Sequence, residues 1–319
     1  MSFDDHDTGV LALGGDEVAR LLAVEPLLEA LEAAFVAFSA GTCDVPPRIG
    51  ARAERGLLGA MPGYVPGAGL ALKAITVFPG NHAAGLPAHQ GLIILFDEHD
   101  GRPLAIMDAA YVTAMRTAGA SAVSARRLAR DDAAVLAIIG AGAQARAHLA
   151  VLPTVRDFEA VRIASRTQAH AQALAAGHPT ARAIGSFVEA IRDADVVCLC
   201  TDAPDPIISL GQLAPGAHVT SVGTGAELDS ETVQRCRVFV EWRGAVTAPS
   251  PAGARELDGL DPDAVTELGE VLASTRPGRR SRDEITVYKS TGHAIEDIAS
   301  ARLVYERAIA QGRGRSLRI

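Results

Sequence analysis

The sequence predicts an α/β chain, a Rossmann-type doubly wound parallel sheet joined to a second, α+β domain. Three observations predict it. The uncharged apolar run Val135-Leu136-Ala137-Ile138-Ile139 ends directly in Gly140-Ala141-Gly142-Ala143-Gln144-Ala145, and a helix-forming run follows at once. From residue 130 onward, short apolar strands alternate with helical segments, the pattern of a parallel sheet covered on both faces. A length of 319 residues is long for one hydrophobic core, so two domains are expected.

The glycine stretch carries the first functional expectation. Gly140 lets the chain turn sharply out of the strand, Gly142 leaves the backbone bare where a pyrophosphate approaches, and Ala145 keeps the next helix close to the strand. Free N–H groups and the positive end of the helix dipole then face the phosphates. Set between this strand and this helix, Gly-x-Gly-x-x-Ala predicts a dinucleotide site made by Gly140, Ala141, Gly142, Ala143 and Gln144.

Ahead of that stretch, residues 1–9 read as an acidic, polar lead and 10–13 as a short strand. Apolar residues at helical spacing over 16–39, between Gly14-Gly15 and Gly41, read as one or two helices. Pro46-Pro47 enforces an extended segment that presents Arg48. Strands at 56–62 and 69–77 flank a turn at Pro66-Gly67, and residues 79–91, rich in Gly, Asn, His and Pro, form a loop suited to function. Strands at 92–96 and 103–107 make a hairpin, and a helix over 109–129 leads into the second domain. There, strands at 135–139, 160–164, 180–184, 195–201, 218–223 and 238–242 alternate with helices, one of them at 186–194 entered through a Ser186 cap. A helix at 264–271, a strand at 284–289 and a long helix at 294–311 complete the chain. The boundaries fall so that residues 1–129 with 300–319 form one domain and 130–299 the dinucleotide domain.

The net charge of −8 argues against a nucleic-acid surface, which needs clustered Lys and Arg, and the basic run from Arg313 to Arg318 reads as a solvated tail. Cys43, Cys198, Cys200 and Cys236 have neither metal nor disulfide spacing. No apolar run reaches membrane-spanning length and the acidic N-terminus has no leader pattern, so a soluble, cytoplasmic protein is expected.

An NAD site carries an acid about 20 residues past the glycines, to bind the ribose hydroxyls. Here Ser165, Arg166 and Thr167 occupy that place. A guanidinium pairs with a 2′-phosphate, flanking hydroxyls add hydrogen bonds, and the missing acid removes a repulsion. The cofactor expected is NADP(H), with NAD(H) less favoured. On the substrate side three cations stand out: Arg48, Lys73 inside an apolar strand, and Arg116 within Ala114-Met115-Arg116-Thr117. An Arg and a Lys converging on one point would bind a carboxylate, although each alone also reads as an ordinary ion-pair or surface residue.

The chain resembles the ornithine cyclodeaminase/μ-crystallin family. The resemblance rests on Pro47-Arg48, Leu72-Lys73, Val77-Phe78-Pro79-Gly80-Asn81, Gly85-Leu86-Pro87-Ala88-His89-Gln90-Gly91 and Leu95-Phe96-Asp97. It continues through Arg116-Thr117-Ala118, Gly140-Ala141-Gly142, Lys289-Ser290-Thr291-Gly292 and Glu296-Asp297, and covers almost the whole chain. It implies a homodimer whose first domain and last helix form the substrate-binding and dimerisation side. It implies that Arg48, Lys73 and Arg116 hold a substrate α-carboxylate beside the nicotinamide, that Thr201, Val222 and Thr291 touch the cofactor, and that Ser165-Arg166-Thr167 is the NADPH-type version.

One departure bears on the chemistry. The family's fifth strand leads into a segment with a proline, and in cyclodeaminases an Asp there handles the substrate amine. Here Val222-Gly223-Thr224-Gly225-Ala226-Glu227-Leu228-Asp229 is shorter, lacks the proline and has no Asp directly after Gly223-Thr224. Cyclisation with ammonia loss needs a proton-moving group near the amines. The expected activity is therefore NADPH-dependent reduction of a small 2-imino acid to an amino acid, with the cations aiming C2 at the nicotinamide. Water, His89 or His293 would supply the proton. An ornithine cyclodeaminase, an alanine-type amino-acid dehydrogenase and a non-catalytic NADPH-binding protein are the alternatives.

Overall fold

The computed structural model describes residues 9–250 and 252–318; apart from Gly9, the acidic lead expected at the N-terminus lies outside them. The chain begins with β1 (Gly9–Leu13), α1 (Gly15–Leu21) and α2 (Val24–Ser39). Strands β2 (Ile49–Ala53), β3 (Gly56–Val65), β4 (Gly69–Val77), β5 (His89–Phe96) and β6 (Pro103–Asp108) follow, then α3 (Ala109–Leu128). The second half runs β7 (Val135–Ile139), α4 (Ala143–Val151), β8 (Ala160–Ala164), α5 (Gln168–Ala175), β9 (Ala181–Ala183), α6 (Phe187–Ile191), β10 (Val196–Leu199) and β11 (His218–Ser221). It continues with α7 (Ser230–Arg235), β12 (Arg237–Val240), α8 (Gly244–Thr247), β13 (Thr266–Glu267), α9 (Leu268–Leu272) and β14 (Thr286–Lys289), and closes on α10 (Ala294–Gln311) and β15 (Arg315–Arg318). Among the described residues no helix is long and apolar enough to cross a membrane.

Two compact units divide these elements. The first takes the described residues up to Ala30, Gly41–Thr113, and the described residues from Ala294; the second takes Leu31–Ala40 and Ala114–His293. The division at 113/114 differs from the 129/130 expected from sequence. Most of α3 counts with the second unit because Ser121 and Ser124 hydrogen-bond the buried rings of His148 and His218 there. The end of α2 does so because Ser39 Oγ donates to Glu267 Oε2 at 2.7 Å.

In the first unit the sheet order is β15-β1-β6-β5-β4-β3-β2, antiparallel except where β1 runs parallel to β6. Period-2 alternation sorts its residues. Met61, Val65, Ala71, Lys73, Ile93, Leu95 and Met107 are buried on the face that α10 covers. On the opposite face, Ile49 (69% exposed), Leu58 (49%), Leu70 (40%) and Leu92 (50%) stand open, joined across the strands by the pairs Ile49↔Ala60, Ala60↔Ala74 and Ala74↔Leu92. The basic run at the C-terminus, expected as a solvated tail, is strand β15. It pairs with β1 from Gly9↔Arg318 to Ala12↔Arg315, satisfying an edge that would otherwise present unpaired backbone groups. Its side chains stay mostly exposed, which is why composition alone reads it as tail.

In the second unit all eight strands are parallel, in the order β13-β12-β14-β11-β10-β7-β8-β9. This is a doubly wound α/β sheet, as the alternation of apolar strands and helices predicts. Ile139, Ala164, Val197, Leu199, Val219, Val240 and Val287 lie in its core, with Ile191, Leu228 and Leu257 packed on them. The expected helix at 264–271 starts instead as β13, because Thr266 and Glu267 pair with Phe239 and Val240 before the helix begins at Leu268. The strand reversal of the order lies at β10 and β7, the point where such sheets open a crevice beyond their C-terminal ends.

Candidate active site

The glycine loop is built as its sequence requires. Gly140 leaves β7 at φ +120°, and a Cβ there would collide with the carbonyl oxygen of Cys200 at the end of β10. Only glycine combines that backbone angle with that approach. Gly142 caps α4 with extended backbone and no side-chain hydrogen bond, and a Cβ on it would meet nothing within 4 Å. The first N–H groups of α4, at Ala143 and Gln144, are thus open to an anion. Ala145 is fully buried under the turn. Neighbouring Cys198 and Cys200 are core thiols: burial pushes Cys198 up to about 12 and Cys200 well above its ordinary value, so neither offers a thiolate.

Beyond β8, Ser165-Arg166-Thr167 forms the turn that caps α5, with Thr167 N donating to Ser165 Oγ at 3.4 Å. Arg166 is exposed and its Nη2 donates to Asp202 Oδ1 at 3.0 Å. Asp202 follows Thr201 beyond β10, so the pair reaches from the β8 side to the β10 side of the strand between them, β7.

Behind Thr201 lies a buried polar cluster at the C-terminal ends of β10, β11 and β14. Glu227 Oε1 accepts from Thr201 N (2.8 Å) and Thr201 Oγ1 (2.7 Å); Oε2 accepts from Ser221 Oγ (2.8 Å) and Gly223 N (2.9 Å). Glu256 Oε2 accepts from Glu227 N (2.6 Å) and Leu228 N (3.1 Å), and its Oε1 lies 2.9 Å from Lys289 Nζ. Lys289 Nζ also donates to Gly223 O (2.7 Å) and Ser221 Oγ (3.0 Å). A carboxylate has about four acceptor positions and an ammonium three donors. Lys289 fills its three; Ser221 Oγ, with one proton, lies 2.8 Å from Glu227 Oε2 and 2.9 Å from Glu256 Oε1, so Glu227 accepts from three donors outright and shares the fourth with Glu256. The loop from Val222 to Asp229 is therefore pinned from inside, Val222 N donates to Leu199 O (3.1 Å), and Asp229 caps α7 by accepting from Thr232 N (2.8 Å).

A second anchored turn follows β14. Glu241, fully buried, accepts from Thr291 N (3.2 Å) and Gly292 N (3.1 Å), and Trp242 Nε1 donates to Thr291 Oγ1 (3.3 Å). Gly292 has φ +74°, and a Cβ there would run into the guanidinium of Arg116, which is buried on this turn. The His293 ring packs edge-on against Phe38, with centroids 4.5 Å apart, and beside Trp242 at 5.4 Å.

In the first unit, Lys73 on the covered face of β4 pairs with Asp297 Oδ2 of α10 at 2.7 Å, both side chains 2% exposed. Arg48 is half-buried just ahead of β2. His89 is exposed at the start of β5, opposite Val77 in register.

The sequence matches the model of the ornithine cyclodeaminase/mu-crystallin family over residues 11–312. The chain belongs to that family. The Mus musculus protein named ketimine reductase mu-crystallin is 35% identical over 291 residues, 88% of this chain and 91% of its own length. The structure of Thermococcus litoralis Δ1-pyrroline-2-carboxylate reductase in complex with NADH and L-proline matches with a TM-score of 0.91 at 33% identity, covering 97% of this chain and 100% of that one. An archaeal alanine dehydrogenase, described as a dimer with bound NAD, matches with a TM-score of 0.88 at 31% identity over 98% and 99% of the two chains.

Within the second unit, Gly140–Gln144, Ser165–Thr167, Thr201 and Val222 gather at the C-terminal ends of β7, β8, β10 and β11. Arg116, Thr291 and His293 gather at the turn after β14. Sequence reasoning gave no role to Asp202, Glu241, Glu256 or Lys289. Lys289 could have been found, since it opens Lys289-Ser290-Thr291-Gly292; the three acids sit in no motif and gain meaning only from their partners.

Proposed function

We propose that this chain is an NADPH-dependent reductase of small 2-imino acids, of the ketimine or Δ1-pyrroline-2-carboxylate type, yielding an L-amino acid. The observation that carries the choice within the family is Glu227. It and Asp229 are the acids of the shortened loop; Glu227 is buried and held by Thr201, Ser221 and Gly223, and Asp229 caps a helix. Neither is left to move protons on a substrate amine, as cyclodeamination requires. The names of the mouse and Thermococcus relatives support the same reading.

The residues fit the nicotinamide cofactor. The open helix start at Gly142–Gln144 would hold the pyrophosphate, and Ser165, Arg166 and Thr167 the 2′-phosphate. Bound NADPH supplies the hydride. Thr201, Val222 and Thr291 would line the cofactor. Arg48, Lys73 and Arg116 are assigned to the substrate carboxylate, which aims C2 for transfer and leaves little orientational entropy to lose at the barrier. As C2 gains hydride, the C=N bond becomes CH–NH and the nitrogen keeps a proton delivered by water, His89 or His293. The dinucleotide domain of residues 130–299 and the substrate and dimer domain of 1–129 with 300–319 remain the functional division proposed. The open apolar face of the first sheet supports a homodimer, because contiguous exposed apolar patches on soluble proteins mark interfaces.

Purified protein given NADPH and a cyclic 2-imino acid should oxidise the cofactor in step with amino-acid formation. Ammonia and proline from ornithine without net cofactor change would refute the reductase reading. A second reading, an alanine-type dehydrogenase, is favoured by the archaeal relative; faster turnover of alanine and NAD than of imine and NADPH would select it.

A further inference from the structure

Arg166 is not alone at the place assigned to the 2′-phosphate. Its guanidinium is already held by Asp202, at 3.0 Å, and both side chains are largely exposed, 77% and 83%. The two residues leave the sheet from strands on either side of β7, whose C-terminal end carries the glycine loop. The pair thus links the two strands that flank β7, the strand that leads into the glycine loop assigned to the dinucleotide.

From this geometry we infer that Asp202 is a determinant of cofactor choice, acting as an internal competitor for Arg166. The inference rests on the NADP(H) reading. A 2′-phosphate must draw the guanidinium away from Asp202 and then sit near the carboxylate's charge. A cofactor with a free 2′-hydroxyl meets a neutralised pair and gives up nothing. Asp202 therefore narrows the preference for NADPH over NADH that Arg166 creates. It does so without touching the reacting atoms, and so acts as a positioning residue for Arg166. An exposed ion pair is weak, which makes it exchangeable for a doubly charged, bidentate phosphate partner.

The test is calorimetric binding of NADPH and NADH to the full chain as wild type, Arg166→Ala, Asp202→Asn and the double variant. Asp202→Asn should tighten NADPH about three- to tenfold, the scale of one exposed pair released and one like charge removed, and change NADH less than about twofold. In the Arg166→Ala background the same substitution should keep only the part of its effect that comes from removing the like charge, and lose the part that comes from releasing the pair. With 2′-AMP and 5′-AMP as fragments, the gain should appear on 2′-AMP alone, a readout that a loss of folding would not produce. An unchanged NADPH-to-NADH ratio in Asp202→Asn, with NADPH weakened by Arg166→Ala, overturns the inference while leaving the phosphate assignment standing. NADPH binding unaffected by Arg166→Ala overturns both.

Discussion

Two histidines deep in the second unit make its stability depend on pH. His148 donates from Nδ1 to Gln144 O at 2.8 Å, because a carbonyl only accepts, and Nε2 then accepts from Ser121 Oγ at 2.9 Å. Ser124 Oγ donates to Ser121 O at 2.8 Å, so it accepts from His218 Nε2 at 3.1 Å, and His218 Nδ1 takes the Thr286 hydroxyl at 2.9 Å. Both rings are fully buried and neutral. Burial lowers His148 from 6.5 to about 4, and burial with Arg279 nearby lowers His218 from 6.5 to about 3. Between 6.5 and those folded values the unfolded chain binds more protons, so stability rises with pH through that window. It is undiminished above the window and is lost as the pH falls through it. At about pH 5 each ring costs about 2 kcal/mol, about 4 together, a large part of the 5–15 kcal/mol typical of a native fold. The chain's single tryptophan, Trp242, belongs to the same unit, so urea unfolding followed by its fluorescence reports the right part of the molecule. Wild type should lose about 4 kcal/mol more than a His148→Gln/His218→Gln variant between about pH 7.5 and about pH 5. Equal losses in the two proteins, within about 1 kcal/mol, would show that these rings are not the acid-sensitive groups.

Three other perturbations have defined outcomes. Lys73→Met should destabilise the first unit by about 3–5 kcal/mol by leaving Asp297 buried beside an apolar chain, and adding Asp297→Leu should recover much of that loss in urea unfolding. Glu227→Gln places an amide NH2 against two donors where an oxygen accepted, costing about 1–3 kcal/mol of unfolding free energy and loosening Thr201 and Gly223; KM for NADPH should rise while the fold persists by circular dichroism. Leu58→Asp with Leu92→Asp puts charge on the open sheet face, and the sedimenting mass should halve if that face joins two copies.

Much of the dinucleotide loop was legible in the chain because it is local. An apolar strand, two glycines and a helix start within a dozen residues encode β7, its turn and α4, and Ser165-Arg166-Thr167 lies one strand further on. The boundaries of β8 and α10 matched the sequence pattern residue for residue, since each is a strongly periodic run with a clear stop. Lys73 was visible as a charge among apolar neighbours, but not its partner. Asp297 meets it only because α10 folds back onto β4. The same holds for Asp202 across β7 from Arg166, and for Glu227, Glu256 and Lys289, which the parallel strand order brings together at the C-terminal ends of the interior strands β10, β11 and β14. β15 likewise reads as a basic tail until β1 offers it an edge. Periodicity and motif spacing report which backbone a segment adopts and which local chemistry it presents. They do not report which distant group will share a buried position with it. That choice is set by strand order, by loop closure and by the cost of leaving buried charges and hydrogen-bonding groups unpaired, and these act together only in the folded chain.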